Sequence, residues 1–473
     1  MKKLIIVSAV LFMLASCTKD ISKLNVDTKN ATNVPSQTLF SNAQKNLADA
    51  MSSSNINTNI FRLLAQHWTT TTYTDEPNYD LNTRGIPQIW WRTLYRDVLI
   101  DLTEAKRLLA TEASVDAVKK NQMAMIDIMQ VYTYYVLVNT YGNIPYTEAS
   151  DYNKVFPKYD DAKTVYYDLL TRLDADIAAL NTAAKGYEVG DLLYDDNITS
   201  WKKFGNSLKL KMGILLVDVD AAKAKSVVEA AAPNTFTSNA DNAIFTYLNA
   251  PPNTNPIWVD LVQSNRQDFI SANTLVDRLN ALVDPRRQFY LTEVEGGGYK
   301  GGTYGASNSY INFSKPDEKI VAPDFAGDLL DYAEIEFYKA EAVERGMNVA
   351  GTAEQHYNNA IEASIKYWGG TDADVSSYLS QPQVAYATAA GDFKQKIGTQ
   401  IWIALYNRGF DAWTAWRKYD YPVLIAPPNA DSPVPQRFTY PVNEQNLNVT
   451  NYNAASAAIG GDKVTTKLFW DKL

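Results

Sequence analysis

Very little in these 473 residues can carry covalent chemistry. The two histidines, His67 and His356, lie far apart in the chain, and Cys17 is the only cysteine. A His/Cys zinc site needs several such ligands together, and a nucleophile–histidine–acid triad needs a histidine beside its Ser or Cys; there is almost nothing to build either from. No HExxH pattern occurs. The glycine-rich run at 296–305 lacks the GxxxxGK of a phosphate loop, and no helical pattern directly follows it. Neither a metal nor a cofactor is expected. Carboxylates are plentiful, so a glycoside hydrolase with two acids about 5–9 Å apart across a cleft stays open on inventory. Individual acids read more simply. Asp174 and Asp176 do not share a helix face. Glu334, Glu336, Glu341 and Glu344 read as the polar side of a helix. Asp372 and Asp374, in GGTDADVSS, read as helix-capping residues before calcium ligands, because an EF-hand type of loop is missing.

What the sequence does offer is recognition chemistry. It contains 30 Tyr, 16 Phe and 10 Trp, side chains with an apolar face and, in Tyr and Trp, a polar edge. Sugars present C–H faces to aromatic planes and rings of hydroxyls to Asn, Asp and Arg. Three polar stretches combine these types. The first is His67 and Trp68 through Tyr73, Asp75, Asn78 and Tyr79. The second is Trp258, Asp260, Asn265 and Arg266. The third is Tyr299, Tyr304, Asn308 and Tyr310, in a glycine-rich loop able to close over a bound chain. Ligand contacts are expected from Trp68, Tyr73, Asn78, Tyr79, Trp258, Asn265, Arg266, Tyr299 and Tyr304. Trp68 and Trp258 read equally well as pins holding loops to a core; Trp402, Trp413 and Trp416 read as core. A peptide ligand would use the same aromatics with more backbone-directed hydrogen bonds, so glycan and peptide both stand. The formal net charge of −9 speaks against nucleic acid and against a polybasic membrane surface.

These residues need a scaffold and an address. The chain opens MKKLIIVSAVLFMLASCTKD: two lysines, an apolar run too short to span a bilayer, then Leu14-Ala15-Ser16-Cys17. That tetrapeptide resembles the bacterial lipobox, whose cysteine is acylated and becomes the first mature residue. The reading is a signal peptide over 1–16, the acylated Cys17 with a polar tether over 17–35, and a single body over 36–473. With Cys17 used, no disulfide can form within the chain.

Helical periodicity runs through most of the body. Residues 36–66 read as two helices with a polar break; 89–110, 118–141, 160–180, 201–219, 271–282, 331–345, 352–367 and 393–406 read as one helix each. Excursions at 67–88 and 231–331 interrupt them, marked by Pro251-Pro252, Pro256 and Asp284-Pro285. Beyond Pro422 the chain reads as Pro- and Asn-rich loop. The fold class is mainly α. The pair at 331–367 carries Ala353, Tyr357 and Ala360 at the spacing of the second helix of a tetratricopeptide repeat, where small residues let helices approach. No clean repeat period runs through the chain, so such pairs are expected to be irregular, at least three in number, with Ala340, Ala353 and Ala360 at close approaches.

The order and spacing of several segments then resemble one family over essentially the whole chain. They are the lipobox, YGNIPYTEA, LLDYAEIEFYKAEAVERG, AEQHYNNAIEASIKYWG, IGTQIWIALYNRGFDAWTAWRKYDYP and VPQRFTYPVNEQNLN. They resemble the SusD/RagB family, the SusD-like nutrient-binding outer-membrane lipoproteins of Bacteroidetes. The resemblance implies four irregular tetratricopeptide units that pack against a SusC-like, TonB-dependent β-barrel transporter at the cell surface. It also implies loops that bind glycans, or in some members peptides, without cleaving them. Family motif positions fall on Tyr141, Gly142, Pro145 and Tyr146; on Tyr332, Glu334, Ala340, Glu341, Ala342, Arg345 and Gly346; on Asn407, Gly409, Trp413 and Arg417; and on Arg437, Tyr440, Pro441 and Glu444. Nearly all read as residues of the fold. The family's ligand residues are loop aromatics that no motif fixes, so none is carried over.

Overall fold

The computed structural model describes residues 34–472. The expected leader 1–16, Cys17 and nearly all of the tether lie outside the described residues. α1 (Ser36–Ser52) and the one-turn α2 (Phe61–Leu64) lead into β1 (Trp68–Thr70). α3 (Ile86–Arg92) and α4 (Ile100–Thr111) run together through a π-helical stretch, Thr93–Leu99. Next come α5 (Asp116–Tyr141), α6 (Ala162–Ala179), α7 (Ile198–Ile214) and α8 (Ala221–Ala231). The long excursion holds β2 (Ala243–Phe245), a π-helical turn (Trp258–Gln263), β3 (Phe269–Ser271), α9 (Asn273–Ala281), α10 (Arg287–Tyr290) and β4 (Gly327–Leu330). The last elements are α11 (Tyr332–Glu344), α12 (Ala353–Trp368), α13 (Asp372–Leu379), α14 (Phe393–Ala404), α15 (Gly409–Tyr419), α16 (Val442–Leu447) and α17 (Val449–Ala458). Among the described residues no helix is long and apolar enough to cross a membrane.

The scaffold is a set of neighbouring helix pairs: α5 with α6, α7 with α8, α11 with α12, and α14 with α15. Small residues sit where these helices approach. Ala340 and Ala360 have no exposed surface, and Ala353 is buried. A Cβ on Gly213 would meet Val227 at 2.8 Å, one on Gly205 would meet Ile177 at 2.8 Å, and one on Gly398 would meet Tyr419 at 2.7 Å. Helix ends are marked in the local sequence. Asp331 caps α11 by accepting from Glu334 N at 2.7 Å, and Thr352 caps α12 by accepting from Gln355 N at 3.0 Å. Gly346 and Gly351 turn the chain between the two with φ of 71° and 104°. Asp374 belongs to a capping box: Thr371 caps α13, and the Asp374 carboxylate accepts from Thr371 N at 2.7 Å.

Three expectations about the scaffold are corrected. The segment at 393–419 is a pair, α14 and α15, where only one helix at 393–406 was expected; the chain breaks at Leu405–Arg408, where Asn407 takes φ 70°, and a second helix follows. The region beyond Pro422 contains α16 and α17. Their Asn-rich sequence has weak helix propensity, and distant partners hold them: Asn448 and Asn451 donate to the carbonyls of Pro157 and Phe156 at 2.9 and 3.0 Å. Glu334, Glu336 and Glu341 are interior rather than the polar side of α11. Each is matched by a lysine or arginine from another turn or element, and Glu336 also by a histidine. Glu334 pairs with Lys211 and Arg408 at 2.8 Å each, Glu336 with Lys339 at 2.8 Å and His356 at 2.7 Å, and Glu341 with Lys418 at 2.8 Å and Arg345 at 2.7 Å. A buried carboxylate is tolerable only with such partners.

Candidate ligand-binding surface

The three stretches picked out by residue type meet in space. β1 and β3 form an antiparallel ladder pairing Trp68 with Ser271 and Thr70 with Phe269. The glycine-rich loop joins both strands. Gly302 N donates to Ser271 O at 2.9 Å, Asn308 N to Thr71 O at 2.8 Å, and Asn308 Nδ2 to Thr70 O at 3.1 Å. A Cβ at Gly301 would lie 2.4 Å from Asn273 Cα, so the loop is pressed against α9 by a close backbone approach that only glycine allows. With both ends pinned in this way, the loop is a wall.

Several aromatic and polar side chains expected to meet a ligand turn inward instead. Trp68 is 1% exposed; its Nε1 donates to Tyr406 OH at 3.0 Å, and its ring has the Arg62 guanidinium carbon 5.0 Å from the centroid. Tyr304 donates to Leu63 O at 2.7 Å. Tyr79 accepts from Gln66 Nε2 at 3.0 Å, and Asn78 Nδ2 donates to Thr74 O and Gly305 O at 2.7 Å each. Trp68, Asn78, Tyr79 and Tyr304, expected to face a ligand, are all buried; the rings use their polar edges inside the protein, while Asn78 Oδ1 has no hydrogen-bond partner among the described residues. They are the base of the surface. Loops rich in backbone polar groups lack aliphatic ballast, and the aromatic rings supply their anchorage. His67 is equally internal: Nε2 lies 3.1 Å from Trp402 O, and burial lowers its pKa to about 3, leaving a neutral ring.

Above this base Tyr73 stands free. It is 45% exposed, and the guanidinium carbon of Arg84 lies 5.3 Å from its ring centroid. Arg84 is paired with the interior Glu76, whose carboxyl is pushed up by burial. Arg266 belongs to the same patch: Thr71, two residues before Tyr73, donates through its N to Asp268 O at 2.9 Å and through its Oγ1 to Gln267 O at 2.8 Å. The bond and ion pair to Asp268, Nε to Oδ2 at 2.5 Å, hold its guanidinium above the usual range. Its side chain is 52% exposed, so its remaining N–H groups face solvent. Asn265, with φ 54°, and Gln267 flank it, also exposed. Trp258 is half-buried on the π-helical turn, and among the described residues it makes no ring contact and no side-chain hydrogen bond. Tyr299 stands apart from this group, in a separate cleft beside Arg287. Arg84 and Asp268 were not among the expected ligand residues. Arg84 lay in the excursion at 67–88, beyond the first aromatic stretch, and Asp268 two residues after Arg266, but only the fold shows that they share one patch.

The patch thus combines an aromatic face, guanidinium donors and carboxylate acceptors on a rigid two-stranded base. This suits a polyhydroxylated ligand held by stacking and hydrogen bonds. Among the described residues no group of His, Cys, Asp and Glu could hold a metal ion.

Comparison with known proteins decides the family. The SusD-like profile, described as starch-binding and associating with the outer membrane, matches residues 28–441. The chain belongs to the SusD-like family. Solved structures agree over almost its full length. A chitin-binding protein is 26% identical, with a TM-score of 0.81 over 93% of this chain and 100% of that one. A SusD homolog from Bacteroides uniformis is also 26% identical, with a TM-score of 0.79 over 92% and 99%. A chitin-binding SusD homolog from Flavobacterium johnsoniae, 22% identical with a TM-score of 0.78 over 92% and 98%, shares the fold. No curated protein matches the chain. SusD-like proteins are outer-membrane-associated binding proteins rather than enzymes, which replaces the hydrolase reading.

Proposed function

We propose that this SusD-like protein captures oligosaccharides on the patch built around Tyr73, Arg84 and Arg266, with Trp258 and Asn265 extending it. The observation that carries this is the exposed Tyr73 ring set among guanidinium and carboxylate groups on a pinned base. The starch-binding character of the family and the chitin-binding character of the 26%-identical relative support a glycan over a peptide. Tyr73→Ala is expected to weaken retention of a bound oligosaccharide about tenfold, ~1.4 kcal/mol, near the upper end for an aromatic contact. Arg266→Ala should weaken it several-fold. Affinity electrophoresis and calorimetry of the full-length protein in detergent, against starch, chitin and oligopeptide panels, make the measurement. Wild-type affinity in both folded variants would show the site to be elsewhere, and retention of peptides alone would replace the ligand class.

The reading extends to location and partner. Cys17 carries the lipid anchor, the body faces the cell surface, and captured sugars pass to a SusC-like TonB-dependent barrel. A single acyl chain holds a protein only marginally, so a stable anchor needs several; a diacylglyceryl group plus an N-acyl chain on Cys17 supplies them, palmitate being one candidate acyl group. Purification of the native protein from outer membranes tests both parts at once. Mass spectrometry should find an N-acylated Cys17 as the first residue, and a large β-barrel should co-purify. An unmodified amino terminus elsewhere removes the anchor; recovery of the protein alone removes the partner.

A further inference from the structure

The cleft that holds Tyr299 has a volume of about 390 Å3, within the range of small-ligand pockets. One wall is Val283, Arg287, Glu293 and Tyr299; the other is the α13 side, with Ser377 and Gln381. Arg287 places its guanidinium carbon 5.7 Å from the Tyr299 ring centroid. Aromatic face, guanidinium, carboxylate, hydroxyl and amide therefore surround one space, the same set of groups found around Tyr73. We propose that this cleft is a second saccharide-binding site, separate from the Tyr73 patch; the ligand class rests on the glycan reading above.

Two observations beyond the concavity support it. The walls are tied together from behind by a buried hub. Arg286, with no exposed surface, donates to both oxygens of Asp284 at 2.9 and 2.6 Å, to Ser364 Oγ at 3.0 Å and to Gln400 Oε1 at 3.1 Å. Tyr378 of α13 joins the same amide at 3.2 Å. A cleft braced in this way pays little ordering cost on binding. Second, the Tyr299 wall is anchored to α9: Asn280 Nδ2 donates to Tyr299 O at 2.9 Å, and Arg287 Nη1 donates to Asn280 Oδ1 at 3.5 Å, which holds the aromatic residue and the guanidinium side by side.

The test uses chitohexaose and maltohexaose with the full-length protein in detergent. Calorimetry should give two equivalents of the preferred sugar. Tyr299→Ala and Arg287→Gln should each lose one equivalent or weaken it about 3- to 10-fold, with the melting temperature kept. Tyr73→Ala should leave the Tyr299 equivalent in place, and Tyr73→Ala/Tyr299→Ala should bind nothing. If Tyr73→Ala alone abolishes all binding and the Tyr299 and Arg287 variants match wild type, the second site is overturned while the glycan reading stands. If Tyr299→Ala loses an equivalent and Tyr73→Ala loses none, the second site stands and the Tyr73 patch falls. No uptake of either sugar by the wild type, nor of any polysaccharide in the panel, overturns both.

Discussion

Lys211→Met lowers the stability of the fold by about 3–5 kcal/mol, the expected cost of stranding one half of a buried ion pair. Lys211 has no exposed surface and lies 2.5 Å from Asp411 and 2.8 Å from Glu334. Arg408 bonds the same two acids at 2.8 Å each and Asp331 at 2.9 Å. Burial works against the Lys211 ammonium, but Asp411 and Glu334 outweigh it and hold its pKa above the usual value. Glu334 mirrors this: burial pushes its carboxyl up, and Lys211 and Arg408 pull it below the usual range. The cluster pins α7, α11 and α15 to one another, so three helix pairs share one electrostatic bolt. Removing the cation leaves three carboxylates, Glu334, Asp411 and Asp331, to a single arginine. Chemical denaturation should show a midpoint shifted in proportion, and adding Asp411→Asn to Lys211→Met should recover part of the loss. A shift below about 1 kcal/mol would falsify the view that this cluster joins the repeats.

Gly409→Ala is the second large effect, and it links the scaffold to the binding surface. A Cβ at Gly409 would lie 2.4 Å from Arg62 N and 2.7 Å from Phe61 C, both backbone atoms that cannot swing aside. Overpacking against a fixed wall costs about 1–3 kcal/mol and sometimes more. The displaced element is α2, which runs within a few residues into β1 and the base of the Tyr73 patch. Arg62 would move with it, and Arg62 holds Asn407 Oδ1 at 2.8 Å and lies over the Trp68 ring. The expected result is a lower melting temperature together with weaker sugar binding. Gly346→Ala is the control: nothing lies within 4 Å of its added Cβ, so only its positive φ, about 1–2 kcal/mol, is felt and binding is unchanged. Equal effects of the two variants on binding would show that α2 does not transmit the displacement.

The helical scaffold was legible in the sequence because its signals are local. Asp331 and Thr352 cap helices whose N–H groups lie three residues away, and Ala353, Tyr357 and Ala360 recur at helical spacing. Family motifs such as Gly409, Trp413 and Arg417 also proved to be fold residues: Arg417 lies 3.5 Å from the Trp413 ring centroid and donates to Asn139 O at 2.8 Å. The three stretches that build the binding region were legible as well, by their mixture of aromatic and polar types. Which of their side chains face solvent was not. Trp68 and Tyr73 are both aromatic residues of one polar stretch, but Trp68 meets Tyr406, 338 residues away, and Tyr73 meets a neighbouring arginine. The acids of α11 were misread for the same reason, since Lys211, Arg408 and Lys418 come from other helices. The sequence by itself determined most of the helices, the pair at 331–367 and the chemical class of the loops, because caps, periodicity and small residues act within a few turns of chain. Only the tertiary structure decided which aromatic or charged side chain is interior, because burial is set by partners hundreds of residues distant, and the same ring that stacks on a sugar in solvent packs equally well against a core.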